Sequence, residues 1–330
     1  MIVKTFDQGW GQIWPWKQFE IRTVDTMLQN LQTDLSATVV INSVWYSQEA
    51  HQQTMSWLRS NNWDQIVLVA MLDAAIPKIE WFEEFDRPVF GLGYYPGINA
   101  LDLCAIFVAE NLDLAAYGDL SDCSGIDTAF MCLNRKPHWH RRQLYERLDD
   151  MGLLSRGLIS MGSNDGKAQR TLLVDCDADI VSPNSDVSHY GIPNNVCSLG
   201  HLDNWRRHFL NVVTETFFDI NTNFFVSEKI YKPIVGEKPF LVYDPDGGSQ
   251  WLQTRGFETY TEDFKDISDL DLRVPENLAP FLRALCDQGV LYWRAKYLAL
   301  RPKILHNKHR FRDYVQEQRL IVQRGIQCLI

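Results

Sequence analysis

Apolar and polar positions change period several times along the first third of the chain. Residues 2–6, 37–44, 66–72, 89–92 and 104–109 are short runs rich in β-branched, aromatic and other apolar side chains, which predicts strands. Residues 47–60 and 77–85 repeat their apolar positions at helical spacing and predict helices between them. Strand alternating with helix predicts a parallel sheet covered by helices, an α/β fold. The stretch from Gly118 to Gly125 is polar, rich in turn formers, and flanked by apolar segments. It predicts a boundary, with one domain over 1–124 and a second over 125–330.

In the second domain the apolar run 129–133 predicts a strand. Pro137 suits the opening of a helix, Leu144, Leu148 and Met151 share one helical face, and Gly152 ends it. Farther on, 212–218 predicts a strand and 219–223 a polar loop. Ser227 is then the N-cap of a short helix opening with Glu228 and Lys229, and 240–243 is the next strand. Pro233 lacks the N–H that an interior turn needs, so this helix should kink or stop early, with Gly236 as its end. Gly247 and Gly248 permit a close backbone approach, after which Ser249 can cap a short helix that Gly256 closes. From Pro275 onward the pattern is helical.

A strand, loop and helix in a parallel sheet set the helix N-terminus at the carboxyl edge, where unpaired N–H groups and the helix dipole favour an anion. Lys229 adds a full positive charge in the first turn of one such helix. Arg135, Lys136, Arg141 and Arg142 cluster at another strand-to-helix junction, and arginine's planar fork can hold two phosphate oxygens together. The net charge of −10 weighs against non-specific nucleic-acid binding and points to a small-molecule partner. Seven cysteines without a CxxC pair suit reduced thiols in a cytoplasmic compartment. No apolar run approaches the ~20 residues that span a bilayer, and the first residues lack a signal-peptide pattern, so no transmembrane segment is expected.

The stretch Phe225-Val226-Ser227-Glu228-Lys229-Ile230-Tyr231, followed by a small-residue turn and an apolar strand, resembles the donor-binding signature of α-1,3-fucosyltransferases and related viral and bacterial glycosyltransferases. The family pattern is aromatic, Val, Thr, Glu, Lys; Ser227 stands for the threonine, and either hydroxyl can cap a helix. The resemblance spans about residues 126–262. It implies that Glu228 and Lys229 contact a nucleotide sugar, with Ser227 and Tyr231 in the same motif. It also implies a pyrophosphate-binding arginine at the start of the helix after the first donor-domain strand. Arg141 takes that position, and Arg135 competes for it. The Gly247–Gly248 segment is implied to lie beside the nucleotide, and Asn221 or Asn223 to hydrogen-bond sugar or ribose. The fold implied is GT-B: two Rossmann-like parallel-sheet domains facing a cleft, the last helix, about 303–330, returning to the first domain. With no membrane anchor expected, the resemblance is to soluble bacterial or viral enzymes rather than Golgi ones.

The implied activity is inverting transfer of a sugar, fucose foremost, from a nucleoside-diphosphate donor, GDP foremost, to a hydroxyl acceptor such as a glycan. An inverting enzyme needs a carboxylate base. Asp73, in the turn after the predicted strand 66–72, is the first choice and Glu49 the second. Glu215 is either a further acidic group or a paired structural carboxylate. Trp14, Trp16 and Tyr94, near turn-forming residues, are candidates for sugar stacking. Asp175, Asp177, Asp179, Asp244 and Asp246 form patterns resembling a metal clamp, but Arg141 and Lys229 already supply positive charge, so no metal and no cofactor is expected. His138 and His140, two apart, should point away from one another. A catalytically silent nucleotide- or sugar-binding protein on the same fold is the alternative.

Overall fold

A computed structural model of the chain describes residues 120–134, 137–162, 202–215, 226–244 and 248–327, residues 102, 105, 106, 108, 109, 199 and 218, and the strands named below. The chain divides into two compact units. One comprises Met1–Glu110, Ser188–Pro193 and Val315–Ile330; the other comprises Asn111–Val187 and Asn194–Tyr314.

The first unit contains β1 (Ile2–Thr5), β2 (Glu20–Thr23), β3 (Thr38–Asn42), β4 (Ile66–Ala70), β5 (Val89–Leu92) and β6 (Asn99–Leu101). They form one sheet in the order β2-β1-β3-β4-β5-β6, every neighbouring pair parallel. Strands β2 and β6 were not among the sequence expectations: three of the four residues of Glu20–Thr23 are polar and Asn99–Leu101 has three residues, too little for a period to register. The run 104–109, expected as a strand, is helical at Ala105, Ile106, Val108 and Ala109. Asp102 supplies the reason, since its Oδ1 accepts the Ala105 N–H at 2.9 Å and caps the turn. A short apolar run is compatible with either element, and the cap decides.

The second unit is built on β7 (Thr128–Asn134), β8 (Leu158–Gly162), β9 (Ala168–Gln169), β12 (His208–Val213) and β13 (Phe240–Val242), while β10 (Ser188–His189) and β11 (Ile192–Pro193) form a small antiparallel pair of the first unit. The sheet order is β13-β12-β7-β8-β9, parallel except for the edge strand β9. Residues of β8 and β12 are buried throughout, as expected of interior parallel strands covered on their faces. Helices α1 (Trp139–Asp150), α2 (Leu202–Arg207), α3 (Glu228–Val235), α4 (Gly248–Thr254), α5 (Leu278–Gln288) and α6 (Val290–Gln327) follow in chain order, with short 3-10 helices at Thr261–Phe264 and Pro275–Asn277. Helix α1 lies against β8, α3 against β12 and α5 against β7. The α/β class and the parallel sheet are thus present, while the helices expected over 47–60 and 77–85 lie outside the described residues.

Three sequence expectations shift in detail. The strand read over 212–218 runs instead from His208 to Val213, because the chain leaves the sheet at Thr214, where side chains of α1 take the next carbonyls. Helix α4 begins at Gly248, one residue before Ser249, because Asp244 Oδ2 accepts the Gly248 N–H at 3.0 Å. The terminal helix is a single element of 38 residues with Pro302 inside it, longer than the segment 303–330. By contrast α1 ends at Met151 with Gly152 at φ 66, closed by the Leu153 N–H on the Leu148 carbonyl at 2.8 Å.

Candidate functional site

The carboxyl ends of β7, β12 and β13 carry Asn134, then Thr214 and Glu215, then Tyr243 and Asp244. Asn134 and Thr214 are buried and joined, Thr214 Oγ1 donating to Asn134 Oδ1 at 2.5 Å. Ser160, on β8, accepts the Asn134 N–H at 3.2 Å through Oγ. A tied row of polar side chains therefore replaces the apolar core at this edge of the sheet.

Glu215 is the residue on which this edge converges. Its side chain is 1% exposed. Its backbone carbonyl accepts from Arg141 Nη2 at 3.0 Å and from His140 Nε2 at 2.9 Å, both in the first turn of α1. Arg141 Nη2 also donates to the Thr214 carbonyl at 2.8 Å. On the other side, the Glu215 carboxylate accepts the Ser227 N–H at 3.0 Å and pairs with Ser227 Oγ at 2.5 Å. Ser227 is the N-cap of α3, in extended backbone, and its hydroxyl oxygen accepts the Lys229 N–H at 3.3 Å. One residue thus fastens the beginnings of two helices.

The charges are close together. Lys229 Nζ stands 3.0 Å from Ser227 Oγ, 3.0 Å from Glu228 Oε1 and 4.0 Å from Glu215 Oε2. The Lys229 side chain is 28% exposed and Glu228 15%, so this pair reaches solvent while Arg141 and Glu215 do not. Burial alone would raise the Glu228 carboxyl, but Lys229 and Lys232 outweigh it and hold it down at about 2. Burial pushes Glu215 up, against the pull of Lys229 and the Ser227 hydrogen bonds, and Glu228 adds to the rise. For Lys229, burial is opposed by Glu228 and Glu215, which together raise the ammonium. Burial pushes the Arg141 guanidinium down, with Glu215 and Glu228 pulling the other way.

An aromatic stack backs the cluster. His140 lies face to face with Phe218 at 4.9 Å, Phe218 with Tyr243 at 4.7 Å, and His138 with His140 at 6.0 Å. The expectation that His138 and His140 point apart is corrected here: His138 precedes α1 in extended backbone, so helical angular spacing does not apply to it. His140 is neutral and donates through Nε2, burial having lowered it to about 4. Among the described residues no three His, Cys, Asp or Glu side chains gather as a metal set.

Of the residues singled out from sequence, the fold brings Arg141, Ser227, Glu228 and Lys229 into one cluster. Tyr231 is elsewhere, wholly buried with its ring 5.0 Å from that of Phe311. Gly248 opens α4, its N–H turned to Asp244. Arg135, Asn221, Asn223, Gly247, Asp73 and Glu49 lie outside the described residues, as do Trp14, Trp16 and Tyr94. Sequence reasoning passed over Asn134 and Thr214, set His140 aside as turned away from His138, and left Glu215 open between two roles. The signal available for them was position, at or just beyond the carboxyl ends of parallel strands. No family model, no curated protein and no solved structure matches the chain.

Proposed function

We propose that the chain is a glycosyltransferase that binds the diphosphate of a nucleotide sugar at the carboxyl edge of the second unit's sheet, where α1 and α3 begin. The reading rests on one observation, the fastening of both helix starts to Glu215 with Arg141 and Lys229 on either side. A departing phosphate gains negative charge as the anomeric C–O bond breaks, and fixed donors already aimed at that charge lower the barrier. Lys229, partly exposed, contacts the phosphate, with the positive end of the α3 dipole behind it. Arg141, held on two carbonyls, acts as a fixed buried charge behind them. Glu228 takes sugar hydroxyls or faces the positive charge developing on the sugar ring.

The donor favoured is a GDP-linked sugar, fucose first, as the resemblance over 225–231 implies. The acceptor is a hydroxyl of a glycan or similar molecule, its proton passing to a carboxylate base, with Asp73 the leading residue. In this reading the cations of the site carry the leaving-group charge and the reaction is inverting and metal-independent. Seven cysteines without a CxxC pair favour reduced thiols and a cytoplasmic enzyme; separately, no helix among the described residues is long and apolar enough to cross a membrane.

Calorimetric titration with GDP, UDP and ADP tests the binding step, with GDP expected to bind most tightly. Lys229→Ala removes a hydrogen bond to a charged group and is expected to weaken GDP binding by ~10- to 100-fold. Transfer or hydrolysis of a GDP-sugar, followed in the presence of a chelator, tests the chemistry. Wild-type turnover in Lys229→Ala, or heat-free titrations with all three nucleotides, would overturn the proposal.

A further inference from the structure

Both oxygens of Glu215 accept hydrogen bonds from Ser227. Oε1 takes the N–H, and Oε2 takes the hydroxyl hydrogen, because Ser227 Oγ already accepts from Lys229 N and Lys229 Nζ. The geometry therefore holds Glu215 as a carboxylate, linked to the Lys229 ammonium through the Ser227 hydroxyl over contacts of 3.0 and 2.5 Å. Other charged or titratable groups facing it are Glu228 on α3 and Arg141 and His140 on α1. Arg141 and His140 are turned to its carbonyl. Strand β7 presents the Asn134 amide, which is joined to Thr214.

We propose that Glu215 is the resident counter-charge of this anion site: a diphosphate that takes the Lys229 ammonium leaves Glu215 to take up a proton from solvent, and Ser227 then turns its hydroxyl hydrogen to the diphosphate. The balance is one proton gained by Glu215 Oε2 per diphosphate bound, with no covalent bond made or broken. When Nζ swings to the anion, Ser227 Oγ loses a donor and its lone pair becomes free to accept from the newly protonated Oε2. The Ser227 O–H, no longer needed by Glu215, points outward. Burial, which raises Glu215 already, acts without the opposing ammonium once Lys229 has moved. Glu215 is in these terms a positioning residue that sets Lys229 and Ser227 for the ligand. The inference depends on the diphosphate site proposed above.

Titrating GDP into wild type in buffers of differing ionisation enthalpy, from weakly acid to weakly alkaline pH, reads the proton directly. Wild type is expected to take up as much as one proton, and its affinity to fall by up to about tenfold per pH unit on the alkaline side. Glu215→Gln can accept from the Ser227 N–H and donate to Oγ permanently, so it mimics the protonated state. It is expected to lose that uptake and to bind GDP at least as tightly as wild type at alkaline pH. Equal uptake in Glu215→Gln and wild type, or binding lost in a folded Glu215→Gln protein, overturns the inference and leaves the donor site standing. Should no nucleotide bind to wild type, the donor site itself fails. Infrared difference spectra of wild type supply a check that needs no variant: a protonated-carboxyl band must appear on adding GDP, and its absence overturns the inference.

Discussion

Lys229 and Lys238 carry the same ammonium in opposite surroundings. Lys229 is partly exposed and held among Ser227, Glu228 and Glu215. Lys238 is 1% exposed, its Nζ has no hydrogen-bond partner among the described residues, and it stands 5.0 Å above the Tyr297 ring. Burial lowers it to about 8, with Cys123, Glu237 and Asp122 opposing. The unfolded chain keeps the ordinary value of 10.5 and so binds more protons between about 8 and 10.5. Stability therefore rises with pH through that window, and at neutral pH the buried charge costs about 3 kcal/mol. Lys238→Met is expected to raise the melting temperature at neutral pH and to flatten its alkaline rise relative to wild type. A lowered melting temperature would show that the amine has a partner that the burial pattern conceals.

At the scale of an element, the end of α3 illustrates how neighbours choose a residue. Gly236 follows the helix with φ −76, a conformation open to any residue, yet a Cβ there would meet Trp205 Cε3 at 2.3 Å. Its glycine is a matter of space. The left-handed position is Glu237, φ 53, held by its ion pair with Lys308 and by the Tyr297 hydroxyl, which donates to its carbonyl at 2.9 Å. Gly152, at φ 66 after α1, has open space around it and answers to backbone strain alone. Gly236→Ala should thus cost ~1–3 kcal/mol through overpacking and Gly152→Ala about 1 kcal/mol, measured by denaturant unfolding. Equal costs would mean that Trp205 yields freely.

Across the whole molecule, the longest helix has its two ends in different company. Up to Tyr314 it belongs to the second unit, where Phe311 packs on Tyr231 and Tyr314 on Trp251 and Phe257. From Val315 it belongs to the first unit, and Gln318 accepts the buried Asp102 N–H at 2.9 Å. That bond lies beside the capped turn following β6, 216 residues earlier in the chain. Gln318→Ala removes the acceptor of a buried N–H and is expected to destabilise the first unit by ~1–3 kcal/mol. Hydrogen exchange checks it through faster exchange at Asp102, with α3 and β12 unchanged.

Local chemistry is legible in the sequence alone. Period and β-branching located β1, β3, β4, β5 and β7, Ser227 announced the start of α3, and Gly152 the end of α1, because each depends on residues adjacent in sequence. Arg141 and Lys229 were likewise visible as cations at two separate helix beginnings. What only the tertiary structure decided is that those beginnings meet on one residue, α1 on the Glu215 carbonyl and α3 on its carboxylate. Glu215 looks in the sequence like any acidic residue in a polar-apolar strand pattern. Its carbonyl and carboxylate acquire their partners from residues 74 positions before and 12 after it. Hydrogen bonds and burial act through space, so contacts of that separation leave no period in the chain, and neither the early end of β12 nor the linkage of charge around Glu215 could be read until the sheet had brought its strand ends together.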